Sequence, residues 1–525
     1  MKHLRIRLIA AMSAGFVSII CFGQNAPTFT SAVSPSGPTP FHVYSIDVNN
    51  DGLTDIVQPG IIPGATTAFF TVSINNGDGT FRPPVSYTVN AGTRPALASG
   101  DFNNDGKVDI AFALPGTNEV AVYLGNGDGT FQSPVTTTIN LPSGYHFATS
   151  SVVAGDFTHD GSLDLVTAGY VGNDGGYAGP WGIFLLYGDG QGHFNNPSII
   201  YQPTSGWMVD TIVTGDFDSD DNADVAIMEQ LPCAGIATTC VGNTYASNVL
   251  ALFGSGTGSF GPVDVTTIYA AMSLGAADLN NDAATDLYSI EYFPGSTTQL
   301  AVFLGHYGRQ FGYRFTPIPS NLSNISAPIV AADFDGTQSW ALAAISTDYS
   351  GSTHSSQMVY FLNAETPTAT IVTGPSPAGT GGYQSGLVVG HFNGDTKPDI
   401  AVNDSVAGNS PTTTTAVGLN ANSQGFYGAC SYPSSGQGIH LCSPTAQTTH
   451  GPITFEGSAN SFGQLRKIEL WLDGAKIGED HWIWGPSGYF DLNYPNPSLG
   501  THHATIYAAD IDNTLQRYDF TFNAN

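Results

Sequence analysis

The chain has 525 residues and a formal net charge of −29, yet only 10% of its side chains are charged, against 41% apolar, with 63 glycines and 32 prolines. The apolar content excludes a disordered acidic tail, and a surface of this sign repels nucleic acid and anionic membrane. The glycines and prolines punctuate the sequence as turns between short strands do.

Residues 1–23 read as a secretory signal: Lys2, Arg5 and Arg7, an apolar run from Leu8 to Ile20, then Cys21, Phe22 and Gly23 with small residues at −3 and −1. The run falls short of the ~20 apolar residues that span a bilayer. Cys21 does not form a lipoprotein box, because Ile20 stands where a small residue is usual. Cys233, Cys240, Cys430 and Cys442 then remain, an even number in an exported chain, which favours disulfides. Proximity suggests Cys233 with Cys240 and Cys430 with Cys442, and the spacings are not those of a CxxC zinc site.

From Asp47 onward an acidic nine-residue loop recurs: DVNNDGLTD at Asp47, DFNNDGKVD at Asp101, DFTHDGSLD at Asp156, DFDSDDNAD at Asp216 and DLNNDAATD at Asp278. Two degraded copies follow, DFDGTQSWA from Asp333 and HFNGDTKPD from His391, so successive starts are 54, 55, 60, 62, 55 and 58 residues apart. Seven units of such a period indicate a closed array.

The spacing within each loop has a chemical reason. Oxygen side chains at positions 1, 3, 5 and 9, with a backbone carbonyl at position 7, suit Ca2+, which accepts roughly six to eight oxygens at ~2.3–2.6 Å. The expected ligands are Asp47, Asn49, Asp51 and Asp55 in loop 1, and Asp101, Asn103, Asp105 and Asp109 in loop 2. Loop 3 offers Asp156, Asp160 and Asp164, with only the hydroxyl of Thr158 at position 3. Loop 4 offers Asp216, Asp218, Asp220 and Asp224, and loop 5 offers Asp278, Asn280, Asp282 and Asp286. Glycine at position 6 permits a positive φ; Asp221 and Ala283 replace it in loops 4 and 5, and a left-handed alanine costs about 1 kcal/mol, so loop 5 is expected to be the weakest. In loop 6 the spacing collapses after Asp335, which implies a lost ion, and loop 7 keeps Asn393, Asp395 and Asp399 behind His391.

An EF-hand is disfavoured: it needs a ligand at position 12, here Gln58 in loop 1 and Phe112 in loop 2, and the following apolar runs are too short for helices. Polar turns alone do not account for the charge. The seven loops hold 21 of the chain's 42 acidic residues, and three carboxylates within nine residues repel one another without a cation. No cysteine or histidine stands at a ligand position of loops 1 to 5, which argues against zinc or copper.

Each repeat continues with two apolar strands around a glycine turn, as in VAVYLGNGDGTFQSP from Val120, TVSINNGDGTFRPP from Thr71 and LLYGDGQGHFNNP from Leu185. This is a hairpin signal, and no helix pattern follows to make it a phosphate loop. Strand, acidic loop, strand, connection, strand, glycine hairpin and strand give a four-stranded antiparallel unit, and such units around an axis make a β-propeller. Phe29 to Val33 resemble the start of a fourth strand but precede loop 1, so the N-terminus is expected to supply the outer strand of the last blade.

These two motifs in fixed order, VVAGDFTHDGSLDLV followed by LLYGDGQGHFNNP among them, resemble the FG-GAP or VCBS repeats of integrin α-chain propellers over roughly residues 27–428. The resemblance implies an all-β fold, a seven-bladed β-propeller over residues 24–428, with structural Ca2+, about five ions, in loops between the first two strands of each blade. Residues 429–525 show no acidic loop but alternating strands such as KIELWLDG and HATIYAAD, and resemble a bacterial immunoglobulin-like β-sandwich.

No GxSxG, HExxH, Walker A or dinucleotide motif is present in the sequence. The expected role is a secreted adhesion module, or one binding an extracellular glycan or protein, located outside the cell, at its surface or in the periplasm, with no membrane insertion of the mature chain and no nucleic acid partner. A calcium-dependent polysaccharide lyase and a surface scaffold are the alternatives. The resemblance implies that Tyr145, Tyr177, Trp181 and Trp207 lie on or beside loops of variable length at the end opposite the acidic loops, where aromatics grip sugars or peptides; Trp181 and Trp207 could equally plug the core between blades.

Overall fold

The computed structural model describes residues 29–33, 37–38, 42–61, 67–91, 96–171, 180–231, 246–292, 298–334, 340–406, 412–420 and 438–524, less intervals of at most six residues within them. The expected signal segment, Tyr177, Cys233, Cys240 and Cys430 lie outside these residues, as do Ala283 and Asp395. Cys442 falls within the strand Gly438–Ser443.

Among the described residues before 421, the strands form seven antiparallel sheets, the first six built in chain order. Sheet 1 contains Tyr44–Ile46, Asp55–Ile61, Ala68–Ser73 and Val85–Val89; sheet 2 contains Leu97–Gly100, Asp109–Leu114, Glu119–Tyr123 and Val135–Thr138. Sheet 3 runs from Tyr145–Gly155 through Asp164–Val171 and Trp181–Leu186 to Ser198–Tyr201. Sheet 4 comprises Met208–Gly215, Asp224–Leu231, Ala246–Gly254 and Phe260–Tyr269, and sheet 5 comprises Ala271–Ala277, Asp286–Glu291, Gln299–Leu304 and Gly312–Pro317. Sheet 6 has Val330–Ala332, Ala341–Asp348, Ser355–Leu362 and Thr370–Pro375. Sheet 7 pairs Gly382–Gly390, Asp399–Val406 and Thr412–Asn420 with the N-terminal strand Phe29–Val33.

Burial explains why the second and third strands read as unbroken apolar runs. Asp109–Leu114 and Trp181–Leu186 are buried at every residue, whereas the fourth strand Val135–Thr138 is not. Successive side chains of a strand point to opposite faces, and here both faces are covered. Leu165 packs into a cluster with Val122 of sheet 2, while the next residue, Val166, packs with Val225 and Leu250 of sheet 4. Similar clusters join sheets 1 and 2 (Phe70 with Phe112), 4 and 5 (Val249 with Leu287), 5 and 6 (Val302 with Leu342), and 6 and 7 (Tyr360 with Val402). A further cluster joins sheet 7 to sheet 1 through Phe392, Ala401 and Val417 against Val43 and Ile56.

That last contact has a polar counterpart. Gln58 of sheet 1 donates to the side chains of Asn403 and Thr415 of sheet 7, at 2.8 and 2.7 Å. The N-terminal strand pairs antiparallel with the third strand of sheet 7, from Phe29 opposite Asn420 to Val33 opposite Ala416, as its sequence suggests.

The C-terminal residues form two further sheets. One joins Gly438–Ser443, Ile453–Asn460 and Ser487–Tyr494; the other joins Thr448–Thr449, Leu515–Ala524, Gly500–Asp510, Leu465–Leu472 and Ala475–Asp480. One apolar cluster unites them, with Phe455 of the first edge-on to Phe522 of the second at 5.7 Å. No helix among the described residues is long and apolar enough to cross a membrane.

Deleting residues 29–33 removes a whole strand pairing from sheet 7. The melting temperature, followed by circular dichroism, is expected to fall by at least several degrees, and an unchanged curve would refute this role for the strand.

Candidate metal-binding face

Each acidic loop joins the first strand of its sheet to the second, and positions 4 and 6 turn it. Position 4 is left-handed, with φ of 56° at Asn50 and Asn104, 53° at His159 and 56° at Ser219. Position 6 is left-handed as well, at 83° for Gly52 and Gly106, 84° for Gly161 and 70° for Asp221. Asparagine and aspartate tolerate this region better than most residues, so Asp221 keeps the turn that glycine makes elsewhere.

The two left-handed residues fold the loop around its first carboxylate. In loop 2 the Asp105 and Gly106 N–H groups donate to the two oxygens of Asp101, at 3.1 and 2.8 Å. Asp47, Asp156 and Asp216 accept the same pair in loops 1, 3 and 4, and Asp278 accepts from Asp282 N–H in loop 5. Position 5 in turn accepts the N–H of position 7, as Asp51 does from Leu53 and Asp160 from Ser162, both at 2.9 Å.

Position 9 does something the spacing did not reveal. Asp55, Asp109, Asp164, Asp224, Asp286 and Asp399 are each fully buried, and each accepts two backbone hydrogen bonds. One oxygen takes the N–H of position 2 in the same loop, for example Phe102 to Asp109 at 3.0 Å. The other takes the N–H of a residue at or just past the end of the third strand: Asn75, Gly125, Gly188, Gly254, Gly305 or Asn420, at 2.6 to 2.9 Å. Position 2 is always a buried apolar side chain, Val48, Phe102, Phe157, Phe217, Leu279, Phe334 or Phe392. The recurrent apolar residue after the first aspartate was the sequence signal for this plug.

The loops also touch one another. Asn50 of loop 1 donates to the Gly106 carbonyl of loop 2 at 3.1 Å, Thr285 of loop 5 to the Asp216 carbonyl of loop 4 at 2.7 Å, and Thr54 of loop 1 to the His391 carbonyl of loop 7 at 3.2 Å. Glycines of the hairpin turns reach back to the preceding loop, Gly192 N–H to Phe102 and Gly258 N–H to Phe157, at 2.9 and 2.8 Å. Loops and turns therefore share one end of the sheets.

The donor set is all oxygen, as a hard divalent cation requires. In loop 4, ligand-type oxygens of Asp216, Asp218 and Asp224 lie within 4.8 Å of one another, and Oδ1 of Asp218 is buried with no hydrogen-bond donor. Burial, reinforced by the neighbouring carboxylates, pushes Asp47, Asp109 and Asp164 up to about 7 and Asp224 up to about 9. It also raises Asp55 and Asp286 well above the usual carboxylate range. Asn49 and Asn280 donate to Asp51 and Asp282, at 2.8 and 3.0 Å. Residues 335–339 of loop 6 and 394–397 of loop 7 lie outside the described residues.

Tyr145, Trp181 and Trp207 sit at the opposite end, at strand starts or just before them. Trp181 is buried, tilted against Tyr170 at 5.4 Å in the cluster between sheets 3 and 4. Tyr145 is buried too, edge-on to Phe184 at 5.3 Å, and its hydroxyl accepts from Gln202 at 3.0 Å. These two rings fill the core between sheets instead of standing out as platforms, because a residue on an inner strand has a neighbouring sheet over each face. Trp207 is half-buried. Two carboxylates at this end were not singled out from sequence: Glu229, which accepts from Asn248 at 2.8 Å and Tyr201 at 3.3 Å, and Glu291, which burial pushes up to about 7.

Residues 65–112 and 101–167 match the FG-GAP-like repeat, so the chain contains repeats of that kind across sheets 1 to 3. No curated protein matches the chain. Among solved structures it is similar to the extracellular domain of BT4673 from B. thetaiotaomicron, described as a one-component system, at 11% identity and TM-score 0.39, over 95% of this chain and 58% of that one. A second structure of that domain, described as a hybrid two-component system, aligns at 11% identity and TM-score 0.38, over 94% of this chain and 60% of that one. The chain thus spans less than two thirds of both. Chaetomium thermophilum Sqt1 aligns at 10% identity and TM-score 0.41, over 75% of this chain and 98% of its own.

Two outcomes follow from the carboxylates. Asp164→Ala strands the Phe157 and Gly188 N–H groups and is expected to cost ~2–5 kcal/mol in urea unfolding with chelator present, while Asp160→Ala, at an exposed turn, costs less than ~1 kcal/mol. With chelator, the raised folded-state values favour the protonated form, so stability is greatest at low pH and is lost as pH rises through about 7 for Asp109 and Asp164 and about 9 for Asp224. The melting temperature without divalent cations is expected to be higher at pH 5 than at pH 8; the reverse order would contradict this burial.

Proposed function

We propose that this chain is a secreted, calcium-stabilised, seven-bladed β-propeller followed by an immunoglobulin-like β-sandwich, and that it acts as an extracellular adhesion module or binds a glycan or protein. One observation carries the reading: loops 1 to 5 place oxygen side chains at positions 1, 3, 5 and 9 on one end of five successive sheets, with paired left-handed turns wherever both turn residues are described. The cyclic order of apolar clusters, returning from sheet 7 to sheet 1, supports the propeller, and the shared core of the two C-terminal sheets supports the sandwich. The FG-GAP-like repeats support the same reading.

Calcium, when bound, neutralises carboxylates that otherwise repel one another. The chain's residues do the rest: positions 4 and 6 aim the ligands, and position 9 locks the loop to its hairpin. The cation then serves as a staple of each blade, and ligand recognition falls to the connections at the opposite end, where those between second and third strands are longest at 172–179 and 232–245. A rigid scaffold carrying variable loops at one end is a common binding design.

Calcium titration by calorimetry on the purified mature protein is expected to give about five sites and a chelator-sensitive melting temperature, and fewer than about three sites would overturn the structural role of calcium. Glycan-array binding that survives substitution in the calcium loops is expected from a ligand site at the other end.

A further inference from the structure

Loop 4 differs from its neighbours in two linked ways. It alone among loops 1 to 5 has aspartate at position 3, Asp218, where the others have asparagine or threonine. It also receives a basic side chain from the next sheet: Arg309 Nε donates to Asp218 Oδ2 at 2.7 Å, and its Nη2 to Asp220 Oδ2 at 3.4 Å.

The origin of Arg309 makes the contact informative. It lies in the hairpin turn after the third strand of sheet 5, at the place occupied by Gly79, Gly129, Gly192 and Gly258 in sheets 1 to 4. Those glycines are left-handed, at 83, 85, 84 and 73°, and Arg309 adopts the same conformation at 65°. A long side chain is strained there. The strain brings its guanidinium into the preceding sheet's loop, packed over the Phe253 ring at 5.2 Å. Two of the four ligand positions of loop 4 are thereby held by an internal cation. Asp218 Oδ1, on a side chain that is only 4% exposed, remains buried without a donor beside Asp216 and Asp224.

We propose that Arg309 is a tethered counter-cation that guards loop 4, so that a divalent cation gains the full ligand set only by displacing the guanidinium. Resting on the reading of these loops as calcium sites, the proposal makes loop 4 the guarded member of the series and makes cation entry there loosen a contact between sheets 4 and 5. The excess negative charge at position 3 and the arginine at a glycine position then have one explanation, since each would be costly without the other.

The test is calcium titration of the full mature chain against Arg309→Gly, which restores the residue found in sheets 1 to 4 and relieves the strained turn. Removing a charge-assisted pair is expected to add one calcium equivalent or to tighten one site by at least about tenfold. Adding Asp218→Ala, which leaves no oxygen at position 3, to Arg309→Gly should abolish that gain, and Arg309→Lys should retain the parental isotherm at this site. A gain in the variant while the parent binds no calcium at all would uphold the guard and sink the wider structural-calcium reading. Identical isotherms for parent and Arg309→Gly, with or without binding elsewhere, would overturn the proposal.

Discussion

The buried aspartate at position 9 is the interaction on which the repeats depend. In sheets 1 to 5 its two oxygens tie the loop between the first and second strands to the turn between the third and fourth, for example Phe157 and Gly188 on Asp164. A buried carboxylate is costly unless fully hydrogen-bonded, and two backbone donors satisfy it in each of six sheets. In sheets 2 to 5 the turn residue that donates to it is glycine, and a side chain has no room there. A Cβ at Gly125, Gly188 or Gly254 would collide with the carbonyl of Val108, Leu163 or Ala223. Asn75 and Asn420 stand in the same place and use their amides on the corresponding carbonyls of Thr54 and Pro398. Sheet 6 has Ala341 in place of the aspartate, and its third strand ends at Leu362 without the glycine turn. Clamp and turn were lost together. In sheet 7 the first aspartate has become His391, yet Asp399 keeps both bonds, so the clamp is separable from the carboxylate at position 1.

Much of this was legible in the sequence. Loop spacing, strand order, the glycine hairpins and the N-terminal strand of sheet 7 all follow from repeated local patterns, and each appears in the structure at the expected residues. The paired strands are short-range consequences of turn chemistry. The burial of Trp181 and Tyr145 was not legible, because it depends on which neighbouring sheet covers a strand's start. The double role of position 9 was hidden for a related reason: a recurrent aspartate nine residues into an acidic loop looks like one more ligand until its second oxygen is seen on a turn 16 to 30 residues downstream. Arg309 was invisible because its meaning lies in a comparison of turns and in a partner 91 residues away.

The two ends of the sheets differ in kind. At the acidic end, carboxylates, left-handed turns and glycine N–H groups form hydrogen bonds that join loop 1 to loops 2 and 7, loop 4 to loop 5, and hairpin glycines to loops 2 and 3. At the other end, buried aromatic rings and the carboxylates Glu229 and Glu291 plug the spaces between inner strands. Variation in connection length is concentrated at this second end, where no repeated clamp constrains it.

The N-terminal strand carries a consequence for biogenesis. The edge strand Thr412–Asn420 has its partner at Phe29–Val33, among the earliest described residues to leave a ribosome. That early segment must wait, unpaired, for nearly the whole series of sheets to be made. Until it returns, two complementary edges exist on every nascent chain, and an edge can be satisfied by another molecule as readily as by its own. Concentration during synthesis would then decide between a chain that pairs its own first strand and one that exchanges it with a neighbour.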